Sequence, residues 1–104
     1  VAKFVLAYQG GGMPETEAEQ QAVMEAWMGW FGELGASVVD GGNPFAASKA
    51  IAPNGSVRDG GSAKLTGYSI VDAASLDDAV TKAKGCPVLA SGGSIDVYET
   101  MDVG

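Results

Sequence analysis

The chain opens on a run of apolar residues with a two-residue period. From Lys3 to Tyr8, the side chains of Phe4, Leu6 and Tyr8 fall on one face of a predicted strand, and Val5 and Ala7 fall on the other. Both sets are apolar, so both faces of this strand are expected to be covered. Gly10-Gly11-Gly12 breaks the strand, and Pro14 precedes a helix start. Thr16 and Glu19 have the capping-box spacing, in which the Thr hydroxyl accepts from an amide three residues on and the Glu carboxylate reaches back. Glu15, Glu17 and Glu19 sit where the positive end of the helix dipole favours negative charge. Val23, Trp27, Trp30, Phe31 and Leu34 then recur at spacings of three and four, a helical apolar stripe that Gly35 is placed to stop. Gly29 and Gly32 interrupt the helix at about 1 kcal/mol each relative to Ala, which suggests close packing against a neighbouring backbone.

The period changes again downstream. Ser37 to Asp40 reads as a short strand closed by Gly41-Gly42-Asn43-Pro44. Lys49 to Ala52 and Ser56 to Arg58 flank Pro53-Asn54-Gly55, the strongest hairpin signal in the chain. After Gly60-Gly61, the stretch Gly67 to Val71 is another strand. Ser75 and Asp78 form a second capping box, and Leu76, Ala79, Val80 and Ala83 make the apolar face of a short helix. Lys82 and Lys84 suit its C-terminal end, Gly85 and Pro87 terminate it, and Ile95 to Glu99 is the last strand. The predicted order is that of an α+β, ferredoxin-like βαββαβ domain with an extra β-hairpin, spanning residues 1–104 as one unit. An antiparallel sheet of this kind carries two helices on one face. The opposite face, including Val5, Ala7 and parts of Tyr68 and Tyr98, would lie open in a monomer. An open apolar face of that kind marks an interface, so a symmetric homodimer through the sheet is expected.

Composition narrows the chemistry. The 104 residues include no histidine, which removes Ser-His-Asp triads, Cys-His dyads and His-containing zinc sites. Six basic residues against thirteen acidic ones leave a net charge of -7, and Lys3, Lys49, Arg58, Lys64, Lys82 and Lys84 are scattered. Nucleic acid and anionic membrane surfaces are therefore not expected partners. No apolar run approaches the roughly 18 residues of a membrane span, and no basic segment leads into a long apolar one. The single Cys86 cannot form an intrachain disulfide, which fits a reducing, cytoplasmic setting. No carboxylate cluster has calcium-loop spacing, so neither a metal nor a cofactor is expected. Gly10-Gly11-Gly12 lacks the remaining residues of a phosphate loop, and the glutamates that follow it would repel an anion.

Several stretches carry a family likeness. Phe4-Val5-Leu6-Ala7-Tyr8, the helix with Trp27 and Phe31-Gly32-Glu33-Leu34-Gly35, and Val39-Asp40-Gly41-Gly42 come first. Val57-Arg58-Asp59-Gly60-Gly61, Leu65-Thr66-Gly67-Tyr68-Ser69-Ile70-Val71 and Ser75-Leu76-Asp77-Asp78-Ala79 follow, then Cys86-Pro87 and Ile95-Asp96-Val97-Tyr98-Glu99. In this order, and over nearly the whole chain, they resemble the YCII-related family, in its branch with an Asp-Gly-Pro-Phe motif. The resemblance implies a dimeric α+β barrel: two ferredoxin-like chains with sheets packed face to face and a cleft in each. Two departures matter. The motif is here Asp59-Gly60-Gly61-Ser62, without Pro and Phe. Enzyme-like relatives pair a first-helix His with an Asp at the end of the second strand; Asp40 matches that Asp, but Trp27 stands at the His position. A His-Asp mechanism does not transfer.

The candidate site residues each have two readings. Asp40 is a general base if desolvated, or a turn residue whose carboxylate bonds the backbone two residues on. Asn43 is a polar contact beside it. Arg58, the only arginine, grips a carboxylate in one reading and is an exposed strand-end charge in the other, with Asp59 beside it. Tyr8, Tyr68 and Tyr98 line a cleft or simply pack in strands. Trp27, Trp30 and Phe31 are an aromatic platform or a helix core. Cys86 has no identified base and reads as an inert thiol. The expected function is binding of a small organic molecule in a cleft between sheet and loops, through Asp40, Asn43 and Asp59, with Asp40 as the base if a proton is transferred. The alternative is a non-catalytic interaction or regulatory module.

Overall fold

The computed structural model describes residues 2–11, 14–61 and 63–103. Gly12 of the expected strand break and Ser62 of the Asp59–Ser62 stretch lie outside the described residues. The strands are β1 (Ala2–Gln9), β2 (Val38–Asp40), β3 (Lys49–Ile51), β4 (Val57–Asp59), β5 (Leu65–Ala73) and β6 (Ser94–Glu99). The helices are α1 (Glu17–Leu34), α2 (Leu76–Ala83) and α3 (Pro87–Ala90). The fold is α+β. One antiparallel sheet has the order β2-β5-β1-β6, and β3 and β4 form a separate two-stranded sheet.

β1 is an inner strand, paired on both edges, to β5 and to β6, and its run from Phe4 to Tyr8 is apolar. Its Phe4, Leu6 and Tyr8 face the helices, where they join Val71 and Ala73 of β5, Trp30 of α1, Ala79 and Ala83 of α2, and Val88 of α3 in one core. Phe4, Leu6 and Val71 are fully buried, each worth about 1.5–3 kcal/mol of transfer free energy. The two alanines keep α2 close to the sheet. Trp30 ties the helices together, its indole Nε1 donating to the Lys82 carbonyl at 3.0 Å.

Local signals set the helix ends. Thr16 Oγ1 accepts from the Glu19 amide at 3.2 Å, and the Gly35 N–H closes α1 on the Phe31 carbonyl. Ser75 Oγ accepts from the Asp78 amide at 3.1 Å. Asp78 itself accepts from Lys82 Nζ at 2.7 Å and from the Ala74 amide at 3.0 Å. The Lys82 bond, then the Ala74 one, hold the Asp78 carboxyl below its ordinary range. At the hairpin, Asn54 Oδ1 accepts from the Ser56 amide at 2.9 Å and Gly55 takes the left-handed conformation with φ 87°.

Four expectations change. Gly29 and Gly32 pack against nothing: a Cβ at either would meet no atom within 4 Å. Leu76 and Val80 are 43% and 36% exposed, so the two alanines alone carry the buried face of α2. Pro87 does not merely end a helix but begins α3, where its fixed φ suits the first turn. The second face of β1 is covered only in part. Ala7 is buried, whereas Val5 and its neighbour Ile70 are half-buried and its other neighbour Tyr98 is 57% exposed.

The outline is flat, 44 × 39 × 18 Å, with a radius of gyration of 15.1 Å, against about 13 Å for a compact chain of this length. The hairpin contributes to this extension, since its strands pair only with each other. Ser48 holds its base, accepting from the Gly60 amide through its carbonyl and from the Gly61 amide through its hydroxyl, both at 2.9 Å.

Two glycine substitutions separate required from tolerated positions. Gly42 has φ 77°, and a Cβ there would fall 1.7 Å from the Tyr68 carbonyl oxygen. Gly42→Ala is expected to destabilise by on the order of 2–4 kcal/mol in urea unfolding. Gly29→Ala, in open space on a helix, is expected to stabilise by about 0.5–1 kcal/mol. Equal effects of the two would contradict the packing described.

Candidate functional site

A cleft of about 380 Å³ opens between α1, the ends of β1 and β5, the loops around residues 10–11 and 41–44, and α3 with Ser91 after it. Its helical wall is the i, i+1, i+4, i+8 set Val23, Met24, Trp27 and Phe31. These share one face because a helix turns every 3.6 residues. Pro44 and Val88 add apolar surface, and Tyr8 and Gly67 come from the sheet. The aromatic rings are mutually braced. Trp27 meets Tyr8 edge-on at 5.3 Å and 76°, and lies 5.9 Å from Phe31 at a tilt of 39°. Trp30 backs both, 5.8 Å from Trp27 and 5.1 Å from Phe31.

The loop that completes the cleft is held by polar groups in a fixed sequence. Tyr8 Oη donates to Ser69 Oγ at 2.7 Å, and Ser69 Oγ donates to the Gly41 carbonyl at 2.7 Å. Ser69 is fully buried, and this pairing satisfies its hydroxyl as both acceptor and donor. Asp40 Oδ1 accepts from the Gly42 amide at 2.8 Å, an Asx turn, while its Oδ2 accepts from Tyr68 Oη at 3.2 Å. Phe45 donates its amide to the Thr66 carbonyl at 2.9 Å and stacks on Tyr68 with centroids 5.8 Å apart. Thr66 Oγ1 lies 3.2 Å from both the Tyr8 and the Gly10 carbonyls, joining the two sides of the opening.

Cys86 is buried beside the Tyr8 hydroxyl, with a side-chain hydrogen bond between them. Burial pushes the Cys86 thiol up to about 11. Burial likewise pushes the Tyr8 hydroxyl above its ordinary value, with the Ser69 hydrogen bond opposing. At neutral pH both stay protonated, so neither serves as an anionic nucleophile or base. Among the described residues, no group of three or more His, Cys, Asp or Glu side chains is placed to hold a metal ion. No helix among them is long and apolar enough to cross a membrane.

The candidate residues divide by position. Tyr8, Asn43 and Tyr68 line the cleft. Asp40 is exposed and adjoins it at Gly41, with both carboxylate oxygens engaged as above. Arg58 and Asp59 stand on the hairpin, outside the lining: Arg58 Nη1 reaches the Gly60 carbonyl at 3.3 Å, and Asp59 pairs with Lys49 Nζ at 2.7 Å in solvent. The helical stripe is split. Trp30 is core, while Trp27 and Phe31 are half-buried and form the cleft wall. Val23, Met24, Pro44 and Val88 were not expected in the cleft; the sequence signal toward this wall was the helical stripe with its platform reading of Trp27 and Phe31.

The buried thiol and phenol give the fold a dependence on alkaline pH. Below the ordinary thiol value of 9.0, Cys86 is protonated in both folded and unfolded chains and contributes no slope. Above it the unfolded thiol ionises while the folded one holds its proton to about 11, so stability falls as pH rises through that window. Tyr8 adds to the decline above its ordinary 10.0. Urea midpoints for Cys86→Ala are expected to fall less steeply between neutral pH and about pH 10. Parallel pH profiles would contradict a desolvated thiol.

No protein-family model matches the chain, and no curated protein matches it.

Proposed function

We propose that this chain binds a small organic molecule in the cleft between α1 and the 41–44 loop, as one half of a homodimer. The observation that carries the reading is the cleft itself. At about 380 Å³ it falls within the range of ligand sites, and its walls are apolar with polar groups confined to a few positions. The strand order β2-β5-β1-β6, with α1 and α2 against the same face, supports a ferredoxin-like arrangement. The dimeric α+β barrel of the YCII-related family goes with that arrangement. The row Tyr98–Val5–Ile70 across the face opposite the helices is the surface that a second copy would cover. In this reading Asp40 positions the cleft loop through its bonds to the Gly42 amide and to Tyr68 Oη.

A second reading, an interaction or regulatory module, draws on the hairpin. Ile51 and Val57 are cross-strand partners there and are 74% and 58% exposed, an apolar pair on an extended arm.

Two measurements test the leading reading. Light scattering is expected to give twice the monomer mass, with Val5→Asp shifting it to the monomer; a monomeric wild type would remove the dimer. A thermal-shift screen against neutral and charged metabolites is expected to find a stabilising compound whose effect is lost in Val23→Phe, which fills the cleft. Asp40→Ala, by loosening the loop, is expected to weaken that effect about tenfold or less in affinity. The absence of any hit would move the function to the interaction module.

A further inference from the structure

We infer that the molecule bound in this cleft is a neutral, flat ring compound of one or two rings carrying a single polar substituent. The inference deepens the binding reading above and rests on it. Three observations carry it: the charge of the lining, the state of its polar groups, and the shape of its walls.

No Asp, Glu, Lys or Arg is among the described residues that line the cleft. An anion would enter without a cation to receive it, and a cation without a carboxylate. Desolvating an ion with no partner costs several kcal/mol, which offsets the apolar contact that the walls return. Two charged residues are chain neighbours of the lining, Glu25 beside Met24 and Asp40 beside Gly41, and Asp40 spends one oxygen on the Gly42 amide and the other on Tyr68 Oη. Electrical neutrality of the lining therefore selects a neutral occupant.

Several polar atoms of the lining residues are already bonded within the protein. The Gly41 carbonyl accepts from Ser69, and the Gly10 carbonyl accepts from Thr66. Tyr8 Oη is bound to Ser69, Tyr68 Oη to Asp40, and Ser91 Oγ points to the Pro87 carbonyl at 3.5 Å. Asn43 is different: among the described residues it is the lining polar side chain with no hydrogen-bond partner. Its amide offers one acceptor and two donors at the exposed rim. That is a match for one hydroxyl or carbonyl on the ligand.

The walls favour a ring over a flexible chain. Trp27 and Phe31 stand 5.9 Å apart at 39°, and Tyr8 presents an edge to Trp27 at 5.3 Å. A planar guest adds to this arrangement by offset or edge-to-face contact, a gain that an aliphatic chain does not share. The aromatic faces would also attract a cation, and that is the strongest competing class.

The test uses three probes with the same naphthalene ring on the full chain: naphthol, naphthoate and naphthylmethylammonium, titrated by calorimetry at neutral pH. Naphthol is expected to bind at least tenfold more tightly than either ion. Val23→Phe is expected to abolish binding by filling the cleft. Asn43→Ala, at an exposed position without partners, leaves the fold intact and is expected to weaken naphthol by about five- to tenfold. It should leave naphthalene, which has no polar group, unchanged. If naphthoate or the ammonium binds as well as naphthol and Val23→Phe removes it, the cleft binds ligands but the neutral-ligand inference falls. If none of the probes binds, or binding survives Val23→Phe, the cleft reading falls with it.

Discussion

The buried hydroxyl of Ser69 is the constraint on which the cleft depends. A hydroxyl removed from water costs free energy unless its bonds are replaced. Here Tyr8 supplies the donor and the Gly41 carbonyl the acceptor, both at 2.7 Å. The chain of bonds crosses from β1 to β5 and then to the loop leaving β2, three segments distant in sequence. It fixes Tyr8 as a wall of the cleft and presses the loop onto β5 so closely that only glycine fits at residue 42. Cys86 closes the other side of Tyr8, so the same network reaches the junction between α2 and α3. Burying these groups together keeps every buried side-chain polar atom of the described residues satisfied.

What this network positions is a largely apolar cleft wall. Thiol and phenol are held protonated by burial, and the carboxylate of Asp40 is committed to the turn and to Tyr68. The polar chemistry near the cleft is thus largely architectural. It leaves Trp27, Phe31 and their neighbours to define what enters, with Asn43 as the free polar contact at the rim. The flat sheet face on the other side of β1 is a separate matter. There Ala7 is buried by its own neighbours, while Tyr98 and Val5 await a partner surface in the proposed dimer.

Much of the fold was legible in the sequence because its signals are local. Thr16, Ser75 and Gly35 end helices through atoms within four residues, and Pro53-Asn54-Gly55 builds a hairpin without help from the rest of the chain. The order of the strands and of the two longer helices followed from period together with caps and turn residues, and α3 was not foreseen. Asp40 was legible as one of two alternatives, and its Asx turn is a contact two residues long. The cleft was not legible in the same way. A helical stripe gives the direction of Trp27, Trp30 and Phe31 but not where the sheet beneath them ends, so the core residue and the cleft residues looked alike. Gly29 and Gly32 misled because their cost suggested a neighbour that is not there. Ser69 was hidden as one residue of a strand, since its role depends on Tyr8, sixty-one positions earlier. Arg58 and Asp59 looked like site residues from their motif, while the hairpin that carries them extends away from the lining.

The central claim is that this Ser69-anchored cleft is where the protein meets its ligand. Amide and indole chemical-shift mapping by NMR during a naphthol titration tests it most directly. The account predicts the largest changes at the Trp27 indole N–H and at the amides of Gly41, Gly42 and Asn43, with the hairpin amides of 49–59 unmoved. Changes centred on the hairpin or on the Tyr98–Val5–Ile70 row, with the Trp27 indole silent, would contradict it.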